Sequence, residues 1–285
     1  MNETLLTSVQ SAQDHLTPQF KALKAATGAL KQAAKLAAEE KADALAMQKA
    51  LLKMEQASEL LEDDVFAGAL ATFRDDTMTA LDALAFDFAR DLKDLFEERG
   101  ETVEGKPPRL TINDLVLNID IGTRKAQWVY GKEELTRPIP LSFNPILKAY
   151  DAQKRIILDR MLDDGFTTEL YTAWQQLIEK RSQRPPSGRV SLTEAYSQIV
   201  LNRQNTRFWN APSRSTFKDY DRPLFVRDMV LAMSNPIAVV DGTEKRFALG
   251  GATKSQAESA AKSVWLPSSA LDGAYYANIT FDVVE

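Results

Sequence analysis

The sequence predicts an α-rich α+β protein: long N-terminal helices, then a small antiparallel sheet-and-helix region, then a C-terminal basic domain wired like a winged helix. Three observations predict it. Pro18 is the only proline before Pro107, and the segment between them is rich in Ala, Lys, Glu and Gln, which favour helix. Strand-like alternation begins only after a Gly- and Pro-containing stretch at 101–108. Basic residues then concentrate between Lys180 and Arg227.

The helical arm spans 1–100. Thr17 followed by Pro18 reads as a helix start, with Pro at the first helical position. A heptad can be written through Leu16, Leu23, Leu30, Ala37, Ala44, Leu51, Ser58 and Val65, with Ala26, Ala33, Glu40, Met47, Met54 and Leu61 three residues later. This seam predicts a coiled coil or long helical hairpin, the alternative being an amphipathic helix in a compact bundle. Leu23, Leu30 and Leu51 are the candidate partner-binding residues. Glu62-Asp63-Asp64 marks a break or helix start, and Phe66, Leu70, Phe73, Leu81, Leu84, Phe88, Leu92 and Leu95 form a second apolar stripe ending near Gly100.

Residues 101–108 read as a linker to a second region, 109–182. Leu115–Ile121, Ala126–Tyr130 and a segment near Glu134–Leu141 predict an antiparallel meander. Helices are expected over 144–162 and 167–181. QRPPSG at 183–188 is the next linker. The third region, 188–285, should open with a helix over 191–201, capped by Ser191 with Glu194 three residues on. A helix over 223–233 is expected after Asp221. A hairpin is expected around Asp241-Gly242, then a short helix at 255–262 and a final strand at 274–284.

The residue inventory excludes much chemistry. The 285 residues include no cysteine and one histidine, His15. Disulfides, thiolate nucleophiles, Cys-ligated metals and two-histidine metal sites are therefore excluded. Gly250-Gly251-Ala252-Thr253-Lys254-Ser255 lacks the spacing of a phosphate-binding P-loop. Asp120 is not followed by the acid-x-Lys pattern of a metal nuclease, and Asp163-Asp164 and Asp219/Asp221 read as turn and cap residues. No catalytic residue, metal or cofactor is expected. With no basic–apolar leader and no 18-residue apolar run, a cytoplasmic location is expected and membrane contact is not.

Charge carries the strongest functional signal. The formal net charge of −5 covers a stretch from Glu55 to Glu98 with 13 acidic and 3 basic residues, and one from Lys180 to Arg227 with 10 basic and 3 acidic. Eight of those ten are arginine, which forks onto phosphate and stacks on bases. Phe208, Trp209, Phe217, Tyr220 and Phe225 are interleaved. Arg184, Arg189, Arg203, Arg207, Arg214 and Lys218 are the candidate nucleic-acid contacts, for DNA or RNA. Docking of this stretch on an acidic surface, or dispersal of its arginines around the domain, are the alternatives. The expected function is a non-catalytic accessory or adaptor subunit of a multi-protein assembly. Its protein subunits, or a second copy, would join through the arm, alongside an SMC-like ATPase or nuclease in a defence or DNA-maintenance system. A structural scaffold of a virion or secretion machine, without nucleic acid, is the alternative.

Overall fold

The structure, a computed structural model, describes residues 3–39, 43–61, 63–181 and 188–284. The chain is mixed α/β, 54% helical, with long N-terminal helices and antiparallel sheets. It divides into two compact units. The first holds Met1–Leu95 with the short stretches Lys106–Pro108 and Ile119–Lys125; the second holds Phe96–Gly105, Arg109–Asn118 and Ala126–Glu285. The second and third regions read from the sequence thus fall largely in one unit.

In the first unit, α1 (Glu3–Ala37) and α2 (Ala44–Ser58) pack as a hairpin, and α3 (Asp64–Glu98) follows. The expected helix start at Thr17-Pro18 is not a start. Helix α1 runs through Pro18, and the Thr17 hydroxyl donates to the Gln13 carbonyl at 2.7 Å instead of capping. Pro18 has no N–H to donate one turn back, a loss best tolerated where water reaches the backbone. Residues 4–21 are all exposed.

The heptad is also interrupted, because α1 ends at Ala37 and α2 begins at Ala44. The inward face of α1 sits one residue from the leucine series. Ala22, Ala26, Ala29, Ala33 and Leu36 are buried, with Met47, Ala50, Leu51, Met54 and Ala57 of α2. Alanine on this line lets two helix backbones approach closely, which a leucine line would prevent. Leu23 therefore points to solvent at 55% exposure, Leu30 is half-buried, and Leu51 lies inside the hairpin. Phe66, Leu70 and Phe73 of α3 complete this core. Asp43 and Asp63 cap α2 and α3, their Oδ1 atoms accepting from Leu45 N (2.9 Å) and Phe66 N (2.7 Å).

The second unit contains most of two antiparallel sheets. The first has six strands: β1 (Val103–Lys106), β2 (Arg109–Ile112), β3 (Leu115–Asp120), β4 (Lys125–Tyr130) and β5 (Glu133–Glu134) in sequence order, with β6 (Ile139–Pro140) on β4. The expected linker at 101–108 is therefore mostly strand β1 and its turn, where Gly105 supplies a φ of 88°. Its Gly, Lys and Pro residues sit at a sheet edge, where polar and proline side chains are tolerated. Helices α4 (Phe143–Gln153) and α5 (Phe166–Glu179) follow, joined by a π-helical turn at Lys154–Leu158. Phe96, Trp128 and Tyr150 meet at 4.9–6.1 Å between ring centroids. Beside them Asn113, at φ 52°, donates to Glu101 and to the Tyr150 hydroxyl. Lys154 donates to the same Glu101 at 2.7 Å. Burial opposes ionisation of Glu101, but the bonds from Lys154, Asn113 and Tyr150 outweigh it and hold its pKa low.

The second sheet runs β10 (Val264–Pro267), β11 (Gly273–Val283), β9 (Thr243–Gly251), β8 (Ile237–Val240), with β7 (Val190–Ser191) also on β11. Asp241 (φ 49°) and Gly242 (φ 73°) make the two-residue turn of the β8–β9 hairpin. Ser191 accepts from Glu194 N at the start of α6 (Leu192–Asn202). Next come α7 (Thr206–Asn210) and α8 (Arg222–Ala232), then α9 (Lys254–Ala257), shorter than the expected 255–262 helix. Helices α6 and α8 followed by a hairpin match the expected order, with the hairpin continuing into a five-stranded sheet. Gly131 and Gly273 allow Trp265 to pack directly against backbone, since a Cβ on either would overlap its ring.

Candidate nucleic-acid interface

Four arginines between 180 and 227, Arg181, Arg203, Arg222 and Arg227, are bonded within the second unit. Asp228, 1% exposed, accepts a two-point pair from Arg160, at 2.5 Å (Nε–Oδ1) and 2.8 Å (Nη2–Oδ2). The Tyr220 hydroxyl donates to the same carboxylate at 2.6 Å. Burial and the neighbouring carboxylate both drive the Tyr220 pKa far up, so this phenol stays protonated. Arg203 stacks 3.6 Å over the Tyr220 ring and forks onto Glu169 at 2.8 and 2.7 Å. Arg222 pairs with Glu133 and donates to the Ala260 and Ser263 carbonyls. Arg181 pairs with Glu194, and Arg227 donates to the Leu158 carbonyl and the Tyr130 hydroxyl. Arg160, Glu169, Arg203 and Asp228 are thereby cross-linked around Tyr220.

The other basic residues behave differently. Between Gln204 and Tyr220 the chain makes an excursion containing α7 and no acidic residue until Asp219. Its base is clamped by Gln204, which is 7% exposed. The Gln204 amide donates to the Val200 carbonyl (2.7 Å) and the Lys218 carbonyl (2.9 Å), and its oxygen accepts from Lys218 N (2.8 Å). At the far side Tyr196 donates to the Tyr220 carbonyl at 2.7 Å. Within the loop, Asn205 caps α7 through Phe208 N. Thr216 Oγ1 donates to the Ala211 carbonyl and accepts from Ser213 N, closing the turn that follows α7. Phe208 packs edge-on against Phe217 at 5.4 Å and against Trp209 at 5.2 Å.

This internally bonded loop presents Arg207, Arg214 and Lys218, all exposed, and Trp209 at 56% exposure. Among the described residues none of the three cations has a carboxylate partner. Their pairing capacity is open to an outside anion.

Of the six sequence candidates, Arg207, Arg214 and Lys218 thus share this loop, and Arg189 is exposed before β7. Arg184 lies outside the described residues. Arg203 is the C-cap of α6 and belongs to the internal network. It does not share a helix with Arg207, because α6 ends at Asn202 and α7 starts at Thr206. Trp209 was visible only as one of several interleaved aromatics. The signal that separates it from Tyr220 and Phe225 is its place in an acid-free run rich in Asn, Ser and Thr. Among the described residues no three His, Cys, Asp or Glu side chains converge as a metal set, and no helix is long and apolar enough to cross a membrane.

Comparison with protein-family models, with curated proteins and with solved structures returns no match.

Proposed function

We propose that the protein is a non-catalytic accessory subunit that contacts nucleic acid through the 205–218 loop and other proteins through its N-terminal helix. The observation that carries the reading is the set Arg207, Arg214 and Lys218, exposed and without acidic partners among the described residues, in the same loop as exposed Trp209. Arg181, Arg203, Arg222 and Arg227 of the same stretch are bonded within the unit, whereas Arg189, like the three loop cations, is exposed. A winged-helix-like arrangement of α6, α8 and the β8–β9 hairpin belongs to this reading, but α8 is not its contact helix. Phe225, Val226, Asp228, Met229 and Ala232 of α8 are buried, and Arg222 and Arg227 are bonded within the unit. Contact through the loop would fall on phosphates and unstacked bases, with little sequence preference.

For protein association, the exposed stripe Leu5, Val9, Leu16, Phe20 and Leu23 on α1 is the surface. Leu30 and Leu51 serve the hairpin instead. An SMC-like ATPase or nuclease in a cytoplasmic defence or DNA-maintenance system remains the partner class we propose.

The test is fluorescence anisotropy with labelled 20-nucleotide single strands and the matching duplex at low salt. The reading expects binding by the native chain and a loss of at least tenfold in the Arg207→Glu/Arg214→Glu/Lys218→Glu variant, with unchanged thermal melting. No retention of either form at low salt would leave the scaffold reading.

A further inference from the structure

We infer that the loop is built for an unpaired strand, with Trp209 as the platform on which one base stacks. The inference rests on the nucleic-acid reading and names its ligand class. Trp209 is over half exposed, an unfavourable place for the largest apolar side chain unless something covers it. It sits on a short helix whose N-cap, Asn205, is bonded, and its ring rests edge-on against Phe208, itself braced by Phe217. Rigid bracing lowers the ordering cost of stacking on the free face. The segment that carries Trp209 is wholly positive, since no acid lies between Glu194 and Asp219 and Arg203, Arg207, Arg214 and Lys218 do. A negatively charged ligand with a flat apolar surface matches this combination. A nucleotide with its base unstacked supplies both parts. A duplex supplies only the phosphates, because its base faces are covered.

The chain offers a direct readout. Of its four tryptophans, Trp128, Trp174 and Trp265 are buried at 0%, 6% and 6% exposure, so Trp209 alone is open to a solvent-side quencher. Unlabelled oligothymidylate and oligouridylate of 20 residues should quench the intrinsic fluorescence and remove its red-shifted component. Matching duplex should bind more weakly and quench little. Equal response to both oligonucleotides indicates that stacking and phosphate contact suffice. Trp209→Leu should abolish the quenching and weaken single-strand binding on the order of tenfold, within the range for one stacked base. Trp209→Phe should recover part of that affinity. Binding that is equally tight for duplex, or unaltered in Trp209→Leu, would overturn the inference while leaving the nucleic-acid reading standing. Failure of both strands and duplex to bind would remove both.

Discussion

Two groups of basic residues, both mostly arginine, have opposite surroundings. Around Tyr220, Arg203, Arg160 and Arg222 are matched to Glu169, Asp228 and Glu133, with side chains only 21–27% exposed. In the 205–218 loop, Arg207, Arg214 and Lys218 face water without a carboxylate partner among the described residues. The first group joins elements far apart in the chain and holds the second unit together. The second holds nothing internally, and its removal should leave the fold intact. A cluster of arginines in a sequence is therefore informative about ligands only after the internally paired members are subtracted.

The largest expected effect comes from breaking the inner group. Asp228→Ala leaves Arg160 part-buried without its partner and the Tyr220 hydroxyl without an acceptor. The expected loss is about 3–5 kcal/mol, read as a fall in melting temperature on the order of 10 °C. Arg203→Ala removes the fork to Glu169 and the stack on Tyr220 and should cost roughly 2–3 kcal/mol. Arg207→Ala should change stability by less than about 0.5 kcal/mol. Comparable melting of these last two variants would erase the distinction between the groups.

The arm offers a parallel contrast. Leu51→Asp places a charge inside the α1–α2 hairpin and should cost about 2–4 kcal/mol, whereas Leu16→Asp should alter stability by less than about 0.5 kcal/mol. Size-exclusion chromatography with light scattering separates the roles, because only Leu16→Asp should change association without changing melting. Gly131→Ala combines a positive φ of 61° with overlap against Trp265 and should cost about 1–3 kcal/mol, by denaturant titration.

The smallest effect is pH-dependent. The folded pKa of Glu101 lies below its ordinary value, so its contribution is full above the ordinary carboxylate range and disappears as pH falls through the folded value. Glu101→Gln should flatten the acid limb of stability against pH. An unchanged limb would show that Glu101 is not engaged by Lys154 and Asn113.

Local signals in the sequence suffice where the chemistry is local. Asp241-Gly242 specifies its hairpin because both residues accept positive φ, and Ser191 caps α6 because its acceptor sits three residues before a free N–H. The arm was legible as helix but not in its packing, because a one-residue offset exchanges the Leu23–Leu30 line for Ala22–Ala29, and only the neighbouring helix selects between them. The candidate site was half legible. Its cations and aromatics stand in the sequence, yet Arg203 is withdrawn by Glu169, 34 residues away, and Arg222 by Glu133, 89 residues away. The acid-free run sets Arg222 apart from Arg207 and Arg214, but nothing in the local pattern does so for Arg203.

The most direct measurement of the central claim is the salt dependence of single-strand binding by the native chain, by Arg203→Lys and by the Arg207→Glu/Arg214→Glu/Lys218→Glu variant. Each phosphate contact on a single strand contributes a log–log slope of about −0.7, so three contacts give about −2. The account predicts that slope for the native chain, the same slope for Arg203→Lys despite its lower melting temperature, and a slope near zero for the triple variant. A triple variant that keeps the native slope, or an Arg203→Lys protein that loses it, would contradict the assignment of the open cations to the ligand and of Arg203 to the fold.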